Sequence, residues 1–308
     1  VMKRKPQKTR SLRGWLGRHA VSVLLSPYAF LFCLLIAIPV CMAVILSFTY
    51  FNTIEFPKPI GLDNFVTLFT ADSVFMQKVL PNTLIYAIFV GVGGYLLSFF
   101  LAWSLAQLPK WPRTILAIAI YSPSLTGGVL LSAVWSVVFN GSEGGYLNYL
   151  LLKLNLISEP VVWLQSDAHL LWIMIVVSLW SSMGIGFLSI LSGILNANEE
   201  LYEAARIDGV RNRFQEIIYV TIPQCKPQML FGAVMAIVNT FQTSGIGVAL
   251  SGSNPTPNYA GQLIVTHIED YGFIRYEMGY AAAISVVLLI FIRLMSKGAE
   301  KLFGGDPD

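Results

Sequence analysis

The chain has 308 residues, of which 55% are hydrophobic and 12% are charged, and its formal net charge is +3. Soluble globular domains carry about 25% charged residues, so this composition excludes an ordinary soluble domain and favours a protein embedded in lipid. The cysteines Cys33, Cys41 and Cys225 have none of the spacings that are typical of metal or redox sites.

Six apolar segments are long enough to cross a bilayer as helices, which takes roughly 20 residues. They lie at about 21–48, 81–107, 114–140, 169–195, 226–250 and 278–296. The first is longer than the apolar core of a signal peptide, about 7–15 residues, so we expect an uncleaved span. Because backbone amides in lipid must be bonded within their own segment, the sequence predicts an all-α polytopic membrane protein with about six transmembrane helices.

The distribution of basic residues predicts the orientation. If the N-terminus is inside, nearly all of the 20 Lys and Arg residues fall in cytosolic segments. The four exceptions are Lys58, Lys78, Lys153 and Arg275. Because Lys and Arg accumulate on the cytoplasmic side, we expect both termini in the cytosol. The chain then divides into a basic tail over 1–20, which suits anionic lipid better than nucleic acid, a transmembrane domain over 21–298, and a short tail over 299–308.

The spans offer little to an ion-coupled carrier or to an enzyme. No ionisable Asp, Glu, His, Lys or Arg lies in the central part of a predicted span, although ion-coupled carriers usually need one there. The sequence lacks the G-x-x-x-x-G-K-[ST] phosphate-binding loop, and its three histidines are far apart. We therefore predict no catalytic site and no metal site in this chain.

The most informative pattern lies in the predicted cytosolic segment 196–224, between the fourth and fifth spans. Residues 199–207 are rich in Glu and Ala and predict a short helix, which Gly209 ends. A second helical stretch over 211–220 follows, and Pro223 is expected to begin the return into the membrane.

This segment resembles the signature of the binding-protein-dependent permeases of ABC importers. The matching residues are Glu203-Ala204-Ala205, Asp208-Gly209 and Ile222-Pro223, and the string LYEAARIDG is typical of the carbohydrate, maltose-type branch. In that family the segment forms a coupling helix that docks in a cleft of the ATPase. The resemblance therefore implies an ATPase-coupling role for Glu203, Ala204, Ala205, Asp208, Gly209 and Pro223.

Two further segments resemble sugar permeases, and one spacing departs from the family. Leu62-Asp63-Asn64-Phe65 lies on the first external loop, and Asn82-Thr83 opens the second span. Fourteen positions separate Gly209 from Pro223, whereas the commonest form of the family's motif has thirteen.

The resemblance implies a permease subunit in the bacterial cytoplasmic (inner) membrane that translocates a sugar or oligosaccharide by alternating access. The expected partners are a second permease subunit, two ATPase subunits, an external solute-binding protein, the carbohydrate and membrane lipid, with no nucleic acid. ATP and Mg would be bound by the ATPase, so we expect no cofactor in this chain. Alternatives are an importer permease for a glycerol-phosphate ester or polyol, and a stand-alone secondary carrier.

Neutral side chains within the spans are the candidates for contact with a sugar, because sugar rings stack on aromatic faces and hydroxyls need hydrogen-bond partners. The main candidates are Asn239, Gln242, Thr243, Tyr121, Trp135 and Trp180; Ser124, Ser181, Ser182 and Thr240 are further ones. Asn239 and Thr243 share a helix face at i, i+4. The competing interpretation for each is helix packing or a bond to the helix backbone.

Overall fold

The structure is a computed structural model that describes residues 20–303, and the side chains of all of these except residues 20, 22, 23 and 129. Most of the predicted tail over 1–20, and residues 304–308 of the other tail, lie outside the described residues. Within the described part the backbone is helical apart from loops and one antiparallel pair of two-residue strands, β1 (Thr49–Tyr50) and β2 (Lys58–Pro59). The predicted all-α fold is confirmed.

Fifteen helices are labelled here within residues 20–303. In chain order they are α1 (Leu24–Leu46), α2 (Asp63–Thr70), α3 (Phe75–Ala106), α4 (Lys110–Leu125), α5 (Gly128–Val138), α6 (Tyr146–Lys153), α7 (Leu170–Ser181), α8 (Ile185–Leu195), α9 (Glu199–Ile207), α10 (Arg213–Glu216), α11 (Ile222–Gln224), α12 (Lys226–Phe241), α13 (Ile246–Ser251), α14 (Ile264–Glu269) and α15 (Met278–Phe303). Wider π turns occur at Cys33–Ala37, Phe75–Val79, Ala87–Val92, Ile217–Thr221 and Asp270–Ile274.

Three of the predicted spans are continuous helices, namely α1, α3 and α15. The second span begins earlier than the predicted residue 81, because Asp72 caps it: its Oδ1 accepts a hydrogen bond from the Phe75 N–H at 2.8 Å. Asp is a favoured N-cap because it satisfies an amide that has no partner in the first turn. Hydropathy alone placed the start at the apolar residues and missed this polar turn.

The other three predicted spans are broken. The chain bends by 100° between α4 and α5, where Thr126 is extended, and by 42° between α7 and α8 near Gly184. The fifth predicted span divides into α12 and α13 at Gly245, whose φ of +68° suits a residue without a β-carbon. These breaks are invisible to hydropathy, because the residues at the breaks are small or neutral and the apolar stretch continues through them.

Close helix packing surrounds the centre of the molecule. Helix α8 packs between α3 and α12. A β-carbon added at Gly186 of α8 would lie 3.3 Å from the Cα of Gly232 on α12, so the two backbones nearly touch. In contrast, α1 is exposed along its apolar length, and its second half packs on α15. The broken helices α4, α7–α8 and α12–α13, together with α3, therefore enclose the interior of the domain.

Candidate functional site

Helix α9 has the bounds that the sequence predicts, Glu199–Ile207. Its first turn is capped by Asn198, whose Oδ1 accepts from the Glu200 N–H at 3.0 Å. At the other end Gly209 adopts φ +99°, and its N–H donates to the Arg206 carbonyl at 3.3 Å. A left-handed glycine after the last turn is a common helix C-terminus, so the predicted role of Gly209 as a helix stop is confirmed.

The second helical stretch differs from the prediction. It starts at Arg213, two residues later than predicted, and continues through the π turn Ile217–Thr221 and α11, so Pro223 lies within this helical stretch. Helix α12 follows after Cys225. A π turn holds one residue more than an α-turn, which equals the extra position between Gly209 and Pro223.

Most of the residues that the resemblance assigns to ATPase coupling are exposed. Glu203, Ala204, Asp208 and Gly209 are exposed on α9 and its C-terminal turn, and Ala205 is half-buried. Pro223 is exposed on α11. Large apolar side chains accompany them, since Ile207, Phe214 and Tyr219 are 87%, 71% and 68% exposed. The surface therefore combines acidic, small and apolar groups, a mixture that suits contact with another protein.

Polar contacts hold α9 against the helix that follows it. The Tyr202 hydroxyl donates to Thr221 Oγ1 at 3.1 Å, and the Asn198 N–H donates to Gln224 Oε1 at 2.9 Å. Burial raises the pKa of the Tyr202 hydroxyl above its ordinary value of 10, so this group remains a donor. These contacts give α9 a defined orientation relative to residues 213–224.

A cavity of about 530 Å³ lies among α3, α4, α7, α8 and α12, beside the breaks in the spans. Its polar lining comes from hydroxyl and amide side chains. These are Tyr86, Tyr95, Ser98, Tyr121, Ser124, Thr126, Ser178, Ser181, Ser182, Asn239, Thr240, Thr243 and Ser244. None of the described residues that line it is Asp, Glu, His, Lys or Arg. The cavity can therefore offer hydrogen bonds and aromatic faces, but no fixed charge.

The structure brings only part of the predicted candidate set to this cavity. Tyr121, Asn239 and Thr243 line it, and the Thr243 hydroxyl also donates to the Asn239 carbonyl at 2.9 Å. The three remaining main candidates are not among the lining residues. These are Gln242, Trp135 and Trp180.

Local packing explains why these three side chains lie elsewhere. Gln242 is the exposed C-cap of α12, so it follows the last helical turn and leaves the face that Asn239 and Thr243 share. Trp135 stacks on Phe139 at 5.6 Å between ring centroids and meets Trp180 edge-on at 5.5 Å. The two tryptophans belong to an aromatic cluster outside the cavity.

The sequence analysis missed the contribution of α3. Tyr86, Val90, Gly94 and Ser98 all line the cavity, and Tyr86 Oη donates to Ser178 Oγ on α7 at 2.7 Å. Their regular spacing of four residues places them on one helix face. This stripe of small and polar side chains is visible in the sequence, and it is the signal that could have identified them.

The two other family-like motifs fasten loops on the side of the molecule opposite α9. Asn64 donates from Nδ2 to the carbonyls of Ser47 and Thr49, both at 2.9 Å, and so ties α2 to the end of α1. Asn82 donates to the carbonyls of Tyr259 and Ala260 at 2.9 and 3.2 Å. These asparagines have a structural role, because each joins backbone carbonyls of a separate segment to its own helix.

A buried acid lies on the same side and was not predicted. Asp72 Oδ2 lies 3.0 Å from His267 Nε2 and accepts from the Tyr280 hydroxyl at 2.8 Å. Burial favours the neutral carboxyl, but the contacts with His267, the Phe75 N–H and Tyr280 outweigh it and lower the pKa of Asp72 from 3.8 to about 2. The ionised carboxylate thus joins α3, α14 and α15, although 195 residues separate Asp72 from His267.

Comparison with known proteins identifies the family of this chain. The sequence profile of a family described as "Binding-protein-dependent transport system inner membrane component" matches residues 13–297. The chain belongs to this family. It is 31% identical over 292 residues to "Probable ABC transporter permease protein YesP" of Bacillus subtilis (strain 168), covering 94% of this chain and 91% of the relative.

A second relative and a solved structure agree with this assignment. "Arabinooligosaccharides transport system permease protein AraP" of Bacillus subtilis (strain 168) is 30% identical over 283 residues, covering 91% of this chain and 87% of the relative. A chain from "Crystal structure of bacterial alginate ABC transporter in complex with alginate pentasaccharide-bound periplasmic protein" superposes with a TM-score of 0.77 at 21% identity, covering 94% and 96% of the two chains. The family and the polytopic fold expected from the sequence are confirmed.

Proposed function

We propose that this chain is the permease subunit of an ABC importer that translocates a neutral sugar or oligosaccharide. The observation that carries the proposal is the pairing of two sites in one domain: the exposed surface on α9 and the uncharged polar cavity. The surface suits an ATPase partner, and the cavity suits a carbohydrate. Relatives named for arabino-oligosaccharides, starch degradation products and lactose support the substrate class.

The proposed mechanism is alternating access driven from outside this chain. Two separate ATPase subunits bind ATP with Mg, hydrolyse the ATP, and press on α9 when they close. A second permease subunit completes the cavity, and an external binding protein delivers the sugar to the side opposite α9. In this arrangement both termini of the chain are cytosolic, in the inner membrane, because α9 and most Lys and Arg residues share that side.

The chemistry of the cavity favours a neutral cargo. A phosphate ester would be held most strongly by Arg or Lys, and the described lining residues include neither. Hydroxyl groups of a sugar need both donors and acceptors, which the Asn239 amide and the Thr240, Ser178 and Ser182 hydroxyls provide. The glycerol-phosphate alternative therefore has less support than a sugar.

Co-purification and uptake test this proposal together. The tagged chain is expressed with the ATPase, the second permease subunit and the binding protein of its own transport system. The expected result is a stable complex whose ATP hydrolysis drives uptake of a labelled oligosaccharide into vesicles, with an arabinotriose as the first probe. Uptake by the chain alone, without bound ATPase, would refute the ATP-driven mechanism and revive the secondary carrier.

A further inference from the structure

Glu216 is a buried carboxylate at the joint between α9 and the helix that follows. Only 8% of the residue is exposed, which is unusual for an acid on a polar loop. Arg213 donates from its Nη1 to both carboxylate oxygens at 2.9 and 3.2 Å. Arg206, which belongs to α9, places its Nη2 3.9 Å from Oε2 of the same group. One carboxylate thus joins the two helices.

The two arginines have different relations to the joint. Arg213 lies on the same helix as Glu216, one turn away, so its contact fixes the carboxylate without linking separate helices. Arg206 lies in the last turn of α9 and crosses the bend at Gly209 to reach the carboxylate. The contact with Arg206 therefore lies at the C-terminal end of α9, beside Gly209. It adds to the hydrogen bonds of Tyr202 and Asn198 that orient α9 against residues 213–224.

The position of Glu216 links the exposed surface to the cavity. The helix that contains it leads through α11 directly into α12, which carries Asn239, Thr240 and Thr243 on the cavity wall. Helix α12 packs closely on α8, which precedes α9, through the contact of Gly186 with Gly232. A movement of α9 can thus move α12 and the cavity wall that α12 forms, provided that the angle between α9 and residues 213–224 stays fixed.

We propose that Glu216 is a positioning residue that makes the joint between α9 and residues 213–224 rigid, so that displacement of α9 moves α12. This inference rests on the proposed function, in which an ATPase displaces α9. After removal of the carboxylate charge, α9 is expected to stay attached to the ATPase. When the ATPase displaces α9, the helix is expected to turn about Gly209 instead of moving α12. Loss of transmission with intact assembly is the signature of this role.

The test follows the cavity with a reporter that needs no transported substrate. In the complex with the ATPase and the second permease, the native cysteines are replaced by Ala and Asn239 by Cys, and the rate of labelling with a charged maleimide is measured with and without ATPγS and Mg. The variant Glu216→Gln should bind the ATPase and hydrolyse ATP as the parent does. Its nucleotide-induced change in labelling rate should be about threefold to tenfold smaller, which lies within the range of mutational effects on coupling.

Two further variants keep the result interpretable. Glu300→Gln breaks an Arg–Glu pair of 3.1 Å whose side chains are 60% and 47% exposed, and it should behave as the parent because exposed pairs contribute little. Arg206→Gln alters a side chain that is 61% exposed and should show the same defect as Glu216→Gln. The double variant should be no worse than Glu216→Gln alone, because Glu216→Gln already removes the charged partner of Arg206.

The outcomes separate this inference from the proposed function. If the parent complex fails to assemble, or shows no nucleotide-induced change at residue 239, the ATP-driven mechanism itself is wrong. If the parent responds and both Glu216→Gln and Arg206→Gln respond equally well, Glu216 has no positioning role. Should Glu216→Gln fail to assemble, Arg206→Gln decides: a full response overturns the proposal and a reduced response supports it.

Discussion

Gly209 and Gly298 differ in the backbone angle φ, which determines whether substitution by alanine strains the chain. Neither has an atom within 4 Å of the position of an added β-carbon, but only Gly209 has a positive φ, of +99°. Gly209→Ala should strain the turn by about 1–3 kcal/mol and shift α9 away from its cap. We expect uptake to fall sharply while the complex still assembles, and Gly298→Ala to be silent. Uptake in vesicles and co-purification measure the two effects, and equal behaviour of the two variants would contradict this account.

Asp72 makes the stability of the fold depend on pH, and the direction of this dependence follows from the contacts of its carboxylate. Its pKa in the folded chain, about 2, lies below the ordinary value of 3.8, so the ionised form stabilises the fold. This stabilisation is complete above pH 3.8 and is lost as the pH falls toward 2. Asp72→Asn should remove it at neutral pH, where loss of hydrogen bonds to a charged group costs about 1–3 kcal/mol.

Thermal unfolding in detergent, followed from pH 7 to pH 2.5, measures this effect. The Asp72→Asn variant should have a lower Tm at neutral pH and a flatter profile at acid pH than the parent. Asp167→Asn is the matched control, because Asp167 is exposed and bonds one amide, that of Asn258 at 3.1 Å. A Tm that is the same for the parent and Asp72→Asn at pH 7 would show that the buried acid contributes nothing.

Asn239 and Gln242 form a matched pair of amides for testing whether the cavity binds the sugar. The two amides lie three residues apart, but only Asn239 lines the cavity. Asn239→Leu should lower uptake roughly tenfold, which corresponds to the loss of one hydrogen bond to a sugar hydroxyl, and Gln242→Leu should have little effect. Initial rates of uptake, normalised to the amount of assembled complex, provide the comparison. If Gln242→Leu proves the more damaging change, the cavity described here is not the sugar's path.

At the scale of single elements, the sequence predicted best those helix ends that depend on neighbouring residues in the chain. The bounds of α9 follow from residues beside them in the chain, Asn198 at one end and Gly209 at the other. The break near Gly184 was not predicted, because it depends on neighbouring helices that accept an irregular backbone inside the domain. The same limitation affected the cavity: hydropathy identifies a span but does not show which face of α3 points inward.

The packing of α8 on α12 gives a prediction for this element pair. Because the Cα of Gly232 lies 3.3 Å from the position of a Gly186 β-carbon, Gly186→Val should force the helices apart at a cost of about 1–3 kcal/mol. Gly93→Val is the control, since the nearest atom to its added β-carbon is a Leu179 methyl at 3.8 Å. Tm should fall more for Gly186→Val, and transport should fall with it. A larger drop for Gly93→Val would exclude close α8–α12 contact.

At the scale of the whole molecule, the sequence predicted the class of protein better than its interior contacts. Composition placed the chain in lipid, and the segment around Gly209 placed it in its family. The pairing of Asp72 with His267 could not be predicted, because nothing local indicates that residues so distant in sequence come together. The long helices α3 and α15 and the segment around α14 bring them to one point, and that arrangement is a property of the complete fold.

Asn64 and Asn82, which bond to the carbonyls of other segments, also differ in when these bonds can form during synthesis. Asn64 bonds to carbonyls only 15 and 17 positions earlier in the chain, so this contact can form soon after the first helix has entered the membrane. Asn82 bonds to carbonyls 177 and 178 positions later and must wait until most of the polypeptide has left the ribosome. The link between α1 and α2 can thus be secured early, whereas the link between α3 and residues 259–260 forms only near the end of biogenesis.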